Sequence, residues 1–527
     1  MVRLIAILAL AGVLAGIYSL APAQVYEFSK PNVPVNDDSL GRHHHFNLSQ
    51  GQHSVAARGD SFYAVWWDFR NGSAPLYNAD IYFARSTDCG RTFLPNLRIN
   101  DDADTVRQES PSLCLDAAGI IHVAWEDTRT GDFRIFYSRS TDGGRIFLPN
   151  QQISDTFSRA AMVASNGNGI VCVGWWCGFY FWLKRSSDGG RTFGRRVMIN
   201  DFAATPATNA SLTLDSAGRA YVAWQRFDTL SYRHVHLSRS TDPGDTLFYP
   251  SVRVSDSTFR VWDASDPSVT LDKRGRVFVA LMDKRSTGDQ LHVYVARSTD
   301  GGASFLPNVD VSDNWGQSLQ EIPSIAADDS GNVYVAWTDY RNGIRCIYFA
   351  RSIDPEDTSF SPNILVNDTA GLSETDRYGA SLAVNERGEA FVTWSDNRIG
   401  GISHVYDIFS SWGVRRQNMV EDDRTEGFVK SFRVDCYPNP FTDRVRISFF
   451  LKQPGKIGIK IYNLLGEEVK TLVQESKGSG KYEIEWRGLD KQGRPVKSGV
   501  YFLAFYPEGF GRGSYSSKTF HRLILIR

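Results

Sequence analysis

The sequence predicts an all-β protein: a seven-bladed β-propeller closed by an N-terminal strand, followed by a small β-sandwich. Two repeated units alternate along most of the chain, and a different pattern of strands begins near residue 432. Of the 527 residues, 45 are Gly and 13% are aromatic, which favours short strands joined by tight turns.

The first repeated unit is a turn between two strands. The dodecamer RSTDGGRIFLPN at residues 139–150 recurs as RSTDGGASFLPN at residues 297–308. Each copy follows an alternating apolar stretch and precedes a short run ending in Asp, which predicts strand, turn and strand. Four degenerate copies begin at Arg85, Arg185, Arg239 and Arg351.

The second repeated unit lies upstream of each turn. It predicts a strand, a D-x-x-G turn and a strand ending in Trp-x-Asp-x-Arg, as in SIAADDSGNVYVAWTDYR. Together the two units form four strands over about 50 residues, the size of one propeller blade. The Trp position recurs seven times, at Trp66, Trp125, Trp175, Trp224, Leu281, Trp337 and Trp394.

The seventh unit has no fourth strand after it. The missing strand is found near the N-terminus, where PNVPVND at residues 31–37 matches PNVDVSD at residues 307–313. We therefore expect the N-terminal strand to complete the last blade and close the ring, which removes its free edges. The predicted propeller spans residues 24–412.

The turns have a specific physical design. The S-x-D-x-G-x-T-F pattern resembles the Asp-box (BNR) repeats of the sialidase superfamily, although sialidases are six-bladed. An Asp carboxylate can accept the turn's N–H groups, and the following Gly allows positive φ. Because the residue recurs around a ring, we expect a structural role for Asp88, Asp142, Asp188, Asp242, Asp300 and Asp354. Local deviations are expected where Cys89, Pro243, Pro355 and Glu356 replace turn residues.

The Trp-x-Asp-x-Arg ends also recur, so we interpret their charges as pairs that hold loops, with ligand contact as the alternative. The third and fourth units break the pattern, with WWCGFYFW and WQRFD. The five regular pairs are Asp68/Arg70, Asp127/Arg129, Asp283/Arg285, Asp339/Arg341 and Asp396/Arg398.

Strand order places the Asp turns on one face and the starts of the innermost strands on the other. One position at these starts does not repeat, and polar residues at a channel mouth predict either a binding site or a solvated rim. This ring position is occupied by Gln50, Glu109, Arg159, Thr208, Ser265, Glu321 and Tyr378. Our candidate ligand-binding residues are Glu109, Arg159, Glu321, Arg377 and Tyr378.

The resemblance to sialidases implies a possible glycoside hydrolase. Tyr378, in DRYGASL, resembles that family's nucleophile in placement; Glu109 or Glu321 would assist it, and Arg159 and Arg377 would bind a substrate carboxylate. The family's Arg-Ile-Pro motif is absent. We therefore expect a propeller that binds a glycan or a protein, with a sialidase-type hydrolase and a non-catalytic structural surface protein as alternatives.

The sequence gives no sign of a metal or cofactor. The cluster His43–His45 could bind a metal, but a solvated loop is the favoured interpretation. Six Cys residues lack paired spacing, so a disulfide framework is not expected. The net charge of -1 gives no electrostatic basis for binding nucleic acid.

The first 23 residues predict a secretory signal peptide. Arg3 is followed by an apolar run at residues 4–20 and by Ala-Pro-Ala at residues 21–23. An uncleaved membrane anchor is the alternative, since the apolar run is slightly short of the ~20 residues of a membrane span. No later stretch is apolar enough to span a membrane.

The C-terminal region follows a charged linker at residues 413–431. Alternating stretches at residues 432–527 predict a β-sandwich. The motif YPNPF at residues 437–441, the strand GVY at residues 499–501 and the basic, apolar tail resemble the type A sorting domain of the bacterial type IX secretion system. They also resemble the Ig-like domain of flagellar hook-capping proteins. This implies an address read by a secretion translocon, and a secreted or outer-membrane surface location.

Overall fold

The computed structural model describes most of the chain between residues 25 and 525. Two units, residues 1–418 and 419–527, are each compact. The predicted signal peptide lies outside the described residues. Those described are 25–38, 45–46, 53–71, 78–102, 106–200, 207–227, 232–242, 244, 247–256, 264–285, 290–314, 318–354, 356, 359–368, 376–398, 405–416, 432–437, 441–451, 455–463, 467–478, 480–508 and 519–525.

The first unit is built from seven antiparallel sheets in its described part. Two short strands come first, β1 (Val25–Phe28) and β2 (Val33–Pro34). Sheet 1 contains β3 (His45–Phe46), β4 (Val55–Arg58), β5 (Ser61–Asp68), β6 (Asp80–Ser86) and β7 (Leu97–Arg98). Sheet 2 contains β8 (Gln108–Leu115), β9 (Ile121–Asp127), β10 (Arg134–Ser140) and β11 (Gln151–Gln152).

Sheets 3 to 6 repeat this meander. Sheet 3 contains β12 (Arg159–Ser165), β13 (Val171–Cys177), β14 (Tyr180–Ser186) and β15 (Val197–Met198). Sheet 4 contains β16 (Ala207–Leu214), β17 (Ala220–Phe227), β18 (Arg233–Arg239) and β19 (Val252–Arg253). Sheet 5 contains β20 (Ser265–Leu271), β21 (Val277–Asp283), β22 (His292–Ser298) and β23 (Val309–Asp310). Sheet 6 contains β24 (Gln320–Ala327), β25 (Val333–Asp339), β26 (Cys346–Arg351) and β27 (Ile364–Leu365).

Sheet 7 joins the two ends of the first unit. Its three late strands pair with one another, and β30 pairs on its other side with β1 and β2. Val33 lies opposite Ser410 and Tyr26 lies opposite Arg415, so the N-terminal strand stands where the sequence predicts it. Since β1 covers the end of β30, that strand runs four residues past the predicted boundary at 412. The late strands are β28 (Arg377–Val384), β29 (Ala390–Asp396) and β30 (Asp407–Arg416).

The core lies between neighbouring sheets, where each central strand contributes an aromatic or apolar side chain. Six Trp residues at the repeated position are at most 1% exposed, and Leu281 is fully buried at the seventh. Sheets 7 and 1 share such a core, in which the rings of Phe391 and Phe62 stack at 4.5 Å between centroids. Burying these faces on each other supplies the hydrophobic stabilisation that a four-stranded sheet lacks alone.

Serine hydroxyls link the first strands of neighbouring sheets. In each link a backbone N–H of one first strand donates to a Ser Oγ of the preceding sheet. The last link joins sheet 1 back to sheet 7. The bonds are Val163 to Ser112 (3.1 Å), Val269 to Ser211 (3.1 Å), Ile325 to Ser268 (3.3 Å), Leu382 to Ser324 (3.0 Å) and Ser54 to Ser381 (3.1 Å).

An Asn–Asp clamp links the outer strands of neighbouring sheets. Asn96 N donates to Asp37 Oδ2 at 2.7 Å, and Asp37 N donates back to Asn96 Oδ1 at 2.8 Å. Asn32 makes the same pair of bonds with Asp368. The N-terminal segment thus contacts both sheet 6 and sheet 1. Equivalent clamps join Asp101 to Asn150, Asp256 to Asn308 and Asp313 to Asn363.

The Trp-x-Asp-x-Arg charges are paired, as the sequence analysis expected. In sheet 2, Asp127 is fully buried; its Oδ2 accepts from Trp125 Nε1 and Arg129 Nε, both at 3.0 Å. Arg129 also donates to Asp101 at 2.7 Å and stacks on the Phe136 ring. The same arrangement recurs in sheets 1, 6 and 7, so these charges tie a loop to the clamp that joins each sheet to the preceding one.

The Asp turns lie at the opposite end of each sheet from the first-strand starts. Asp188 Oδ1 accepts from the N–H groups of Arg191 and Thr192 at 2.9 Å, and its Oδ2 accepts from the Thr192 hydroxyl at 2.7 Å. These hydrogen bonds hold the pKa of the Asp188 carboxyl well below its usual range, and the bond from the Thr192 hydroxyl contributes most. Asp88, Asp142 and Asp300 accept the same pair of backbone bonds.

Two of the three altered turns deviate locally, as expected. Asp242 and Asp354 accept from the N–H groups of Gly244 and Glu356, two residues on, whereas the regular turns direct that N–H to a Ser hydroxyl. The expectation for Cys89 is wrong. Cys89 adopts φ +61°, and Asp88 keeps its regular bonds, because the surrounding hydrogen bonds impose the left-handed conformation on a non-Gly residue.

The second unit is a two-sheet sandwich around its own core. Phe441, Ile447, Trp486, Leu503 and Leu523 are among its buried side chains. Its first sheet has the order β31–β32–β35 and its second the order β34–β33–β36–β37. The strands are β31 (Phe432–Tyr437), β32 (Val445–Leu451), β33 (Gly455–Tyr462), β34 (Glu468–Lys477), β35 (Gly480–Trp486), β36 (Gly499–Glu508) and β37 (Thr519–Leu525). Within the described residues, no helix is long and apolar enough to cross a membrane.

Candidate functional site

A left-handed bulge recurs where the first strands begin. The register of sheets 2 to 7 shifts at this point, for example between Glu109 and Ser112. The bulge residue has φ between +45° and +73°, and five of the six are not Gly: Ser110, Ala160, Asn209, Asp266, Ile322 and Gly379. Such strain is held only by a rigid surrounding, and bulges re-aim the side chains beside them.

The predicted ring position directly precedes each bulge. Its cross-strand partner is the residue at the x of Trp-x-Asp, which also does not repeat. The pairs are Glu109 with Glu126, Arg159 with Trp176, Thr208 with Gln225, Ser265 with Met282, Glu321 with Thr338 and Tyr378 with Ser395. This second ring was not predicted, although the x position visibly differs between the copies in the sequence.

A charged cluster joins sheets 2 and 3. Glu109 and Glu126 lie opposite each other on β8 and β9, and both are at most 2% exposed. Arg159 contacts both carboxylates: its Nη2 is 3.5 Å from Glu109 Oε2, and its Nε contacts Glu126 Oε2. Arg107 contacts Glu109 from the other side. Two like charges opposite each other would repel, so the two guanidinium groups are what makes this pair tolerable.

The electrostatics of this cluster follow from its burial. Burial raises the pKa of Glu126, opposed by Arg159 and by the Ala160 N–H, which donates to Glu126 Oε1 at 2.6 Å. Burial and the neighbouring Arg159 guanidinium lower the pKa of Arg107. The Arg159 side chain is 36% exposed and the Arg107 side chain 49%. The cluster therefore presents cationic donors to solvent above buried carboxylates.

Aromatic side chains surround this cluster on the same end of the sheets. The Arg159 guanidinium lies 4.1 Å from the centre of the Phe133 ring, and Phe157 packs edge-on against Phe133 at 6.4 Å between centroids. Phe157 is 43% exposed, and Phe179, at the turn between β13 and β14, is 50% exposed. The repeat is broken here, but no role was predicted for these aromatic residues.

A second polar cluster lies on sheets 4 to 7. Asn209 Nδ2 donates to Asp266 Oδ1 at 2.5 Å. Burial raises the pKa of Asp266, and Glu321 adds a smaller upward contribution. Glu321 lies 3.5 Å from Arg345, which contacts Asp376 at 2.8 Å. This side of the rim is predominantly acidic.

The remaining predicted residues are placed differently. Arg377 is fully buried, and its Nε donates to Asp396 Oδ2 at 3.0 Å. It precedes the ring position by one residue and so points to the other face of the strand, towards the Trp-x-Asp-x-Arg charges. Tyr378 lies in β28 opposite Ser395, and its side chain is outside the described residues. Gln50, His43 and His44 also lie outside them, and His45 begins β3.

His53 lies just before β4 of sheet 1. Burial lowers the pKa of His53. Across the described part of the chain, no group of three or more His, Cys, Asp or Glu side chains is arranged to hold a metal ion.

The comparisons with known proteins add one decisive match. Residues 435–509 match the family model described as the secretion system C-terminal sorting domain. This is an export address. The C-terminal unit directs the chain to the type IX secretion machinery, and from there to the cell surface or the extracellular space. A search of curated protein sequences found no match.

Solved structures resemble the chain only distantly. A protein of unknown function from Dyadobacter fermentans DSM 18053 has 16% identity and a TM-score of 0.47, over 74% of this chain and 99% of that one. A PL25 ulvan lyase bound to -[GlcA(1-4)Rha3S]- has 12% identity and a TM-score of 0.49, over 72% and 95%. The Hadza microbial sialidase Hz136 has 14% identity and a TM-score of 0.39, over 70% and 65%. These values decide neither the fold nor the activity.

Proposed function

We propose that the protein is an exported seven-bladed β-propeller, closed by its N-terminal strand, that binds a glycan or protein ligand. The binding face is the end of the sheets where the first strands begin. The turns at the other end are then Asp-box repeats with a structural role. The C-terminal unit, an Ig-like sorting domain, serves export.

Three contacts support a closed ring of seven blades. Ser54 N donates to Ser381 Oγ, which links sheet 1 to sheet 7. The N-terminal segment makes Asn–Asp clamps to both sheet 6 and sheet 1. Neighbouring sheets in sequence are also neighbours in space, as expected for a propeller.

One observation supports the binding function. The backbone repeats its bulge at the start of each first strand, but the side chains at the ring position beside it differ between sheets, and several of them are charged. A purely structural ring would repeat its side chains along with its bulges, as it does at the Asp turns. Here Glu109, Arg159 and Glu321 occupy the ring position in different sheets, and Asp266 stands at the bulge next to Ser265. All are held by rigid strands, and a binding site needs such preorganised polar groups.

The test uses the secreted chain, residues 24–527, on arrays of immobilised oligosaccharides and of extracellular proteins. Changing Arg159→Ala or Asp266→Asn should abolish or weaken any binding found. Arg191→Ala, an exposed change at the Asp-turn end of sheet 3, should leave it unaltered. Glu109→Ala is a third binding variant, interpreted only if its melting temperature is that of the wild type, since Glu109 is buried.

The same arrays distinguish a binding protein from a sialidase-type hydrolase and from a structural surface protein. If the chain binds nothing on either array, it is a structural surface protein and the proposal fails. Release of sialic acid from sialylated glycans, lost in Tyr378→Phe, would replace the proposal with the hydrolase. The pairing of Arg377 with Asp396 makes that outcome less expected, because it takes one candidate carboxylate-binding Arg away from the rim.

A further inference from the structure

The array of sheets is interrupted at sheet 3. In sheets 1, 2, 6 and 7, the strand that carries the repeated Trp ends in an Asp. This Asp pairs with the Arg two residues later and so holds the loop that follows. Sheet 3 has Cys177, Gly178 and Phe179 instead, and a two-residue turn joins β13 to β14. Gly178 has φ +66°, as such turns require. The short turn carries no charged clamp and places Phe179 at its tip.

Three aromatic side chains lie beside the charged cluster at this end of sheets 2 and 3. We call Phe133, Phe157 and Phe179 the aromatic shelf. Phe133 touches both Arg159 and Phe157. Thr156 directly precedes Phe157, and its Oγ1 lies 3.8 Å from the Sγ of Cys177. Cys177 precedes Phe179 by two residues. The shelf therefore lies over the boundary between sheets 2 and 3, next to Arg159.

We propose that the aromatic shelf is a sugar-ring subsite and that the ligand of this protein is an oligosaccharide. A pyranose ring has an apolar C–H face and a rim of hydroxyl groups. Phe157 and Phe179 offer exposed ring faces to the former. Arg159, held in place by Glu109 and Glu126, offers N–H donors to the latter.

The arrangement of strands argues against a peptide at this place. Peptides commonly bind by adding a strand to a free sheet edge. At the shelf, β13 and β14 are paired on both sides. The unpaired edge of β12 faces the first strand of sheet 2, where the Val163 N–H donates to Ser112 Oγ. Flat aromatic faces beside fixed charged donors suit a rigid ligand with many hydroxyl groups better.

This inference rests on the proposed binding function, and one titration series separates the two. Oligosaccharides that bind the wild-type chain on the array are titrated by calorimetry into Phe157→Ala and Phe179→Ala. Both residues are substantially exposed, so their variants should keep the wild-type melting temperature. We expect affinity to fall about tenfold in each, because an aromatic contact surface is lost. Phe179→Tyr should restore binding.

The matched control is Ile146→Ala, which removes a 67% exposed apolar side chain at the Asp-turn end of sheet 2 and should change nothing. If oligosaccharide binding is lost in Asp266→Asn but unchanged in both Phe variants, the subsite is refuted while the proposed function stands. If only a protein ligand binds, the oligosaccharide assignment is likewise refuted. If neither class binds, both proposals fail.

Discussion

Sheets 2 and 3 are neighbours built from the same repeat, yet they differ where a ligand would meet them. In sheet 2, Asp127 is fully buried and bonded to Trp125 and Arg129. In sheet 3, Cys177 takes its place, the Trp175 indole has no hydrogen-bond partner within the described residues, and an exposed Phe179 follows. A symmetric scaffold can lose one clamp because the other sheets still hold their neighbours, and the lost clamp frees surface for a ligand.

The largest loss of stability should come from changes in β1, which pairs with the last strand of sheet 7. Like sheet 2, sheet 7 has four strands in sequence, but only with the N-terminal segment as its outer strand. Tyr26 and Phe28 of β1 pack on Phe349 of sheet 6 at 4.8 and 5.0 Å between centroids. Changing both to Ala should cost roughly 5 kcal/mol or more of unfolding free energy, since one buried Phe→Ala change costs about 3–5 kcal/mol.

Urea unfolding followed by Trp fluorescence measures this cost. Glu27→Ala, between the two aromatic residues and exposed, is the control and should stay within about 0.5 kcal/mol of the wild type. A double variant as stable as the control would mean that the N-terminal strand is dispensable, and the closed ring would have to be abandoned.

The next effect contrasts two copies of the same Asp. In sheet 7, Asp396 accepts from Trp394, Arg377 and Arg398. In sheet 5 the Trp is replaced by Leu281, and among the described residues the one ion pair of Asp283 is with Arg285 Nε, at 3.4 Å. Both Asp residues are at most 1% exposed.

Asp396→Asn should therefore destabilise the protein by about 3 kcal/mol, because it leaves the buried Arg377 uncompensated. Asp283→Asn should be neutral or stabilising at pH 7. Melting temperatures of the two variants at pH 7 make the comparison directly. Equal losses of stability would show that the Trp394 indole and the buried Arg377 contribute nothing to the stabilisation by Asp396. Sheet 5 would then be no weaker than the regular sheets.

The same contrast explains what the sequence could predict. Trp66 and its counterparts, the Asp turns and the missing fourth strand follow from repetition, because one set of contacts is used again in each sheet. The site does not repeat, so it depends on which strands face each other. Glu126 became visible only through its register with Glu109, and Phe157 only through its packing on Phe133. Arg377 was predicted to bind a ligand carboxylate, but it precedes the ring position by one residue, and alternation along a strand sends its side chain to the other face.

The smallest effect is a pH dependence specific to sheet 5. Burial raises the pKa of Asp283 to about 6, with Arg285 opposing. The folded protein then keeps this proton up to about pH 6, whereas the unfolded chain loses it near pH 4. Between these values the folded state binds more protons, so stability falls as pH rises. For a full shift of this size the loss is at most about 3 kcal/mol.

Asp283→Asn cannot lose that proton, so it isolates this contribution. We expect the wild type, relative to the variant, to lose stability between pH 4 and pH 7, measured as the difference in their unfolding free energies at each pH. Asp283 is the informative residue because its counterparts accept an indole N–H that Leu281 cannot supply. A difference that stays constant with pH would mean that Asp283 is ionised throughout. Arg285 alone would then be enough to replace the Trp bond, and sheet 5 would have to be grouped with the regular sheets.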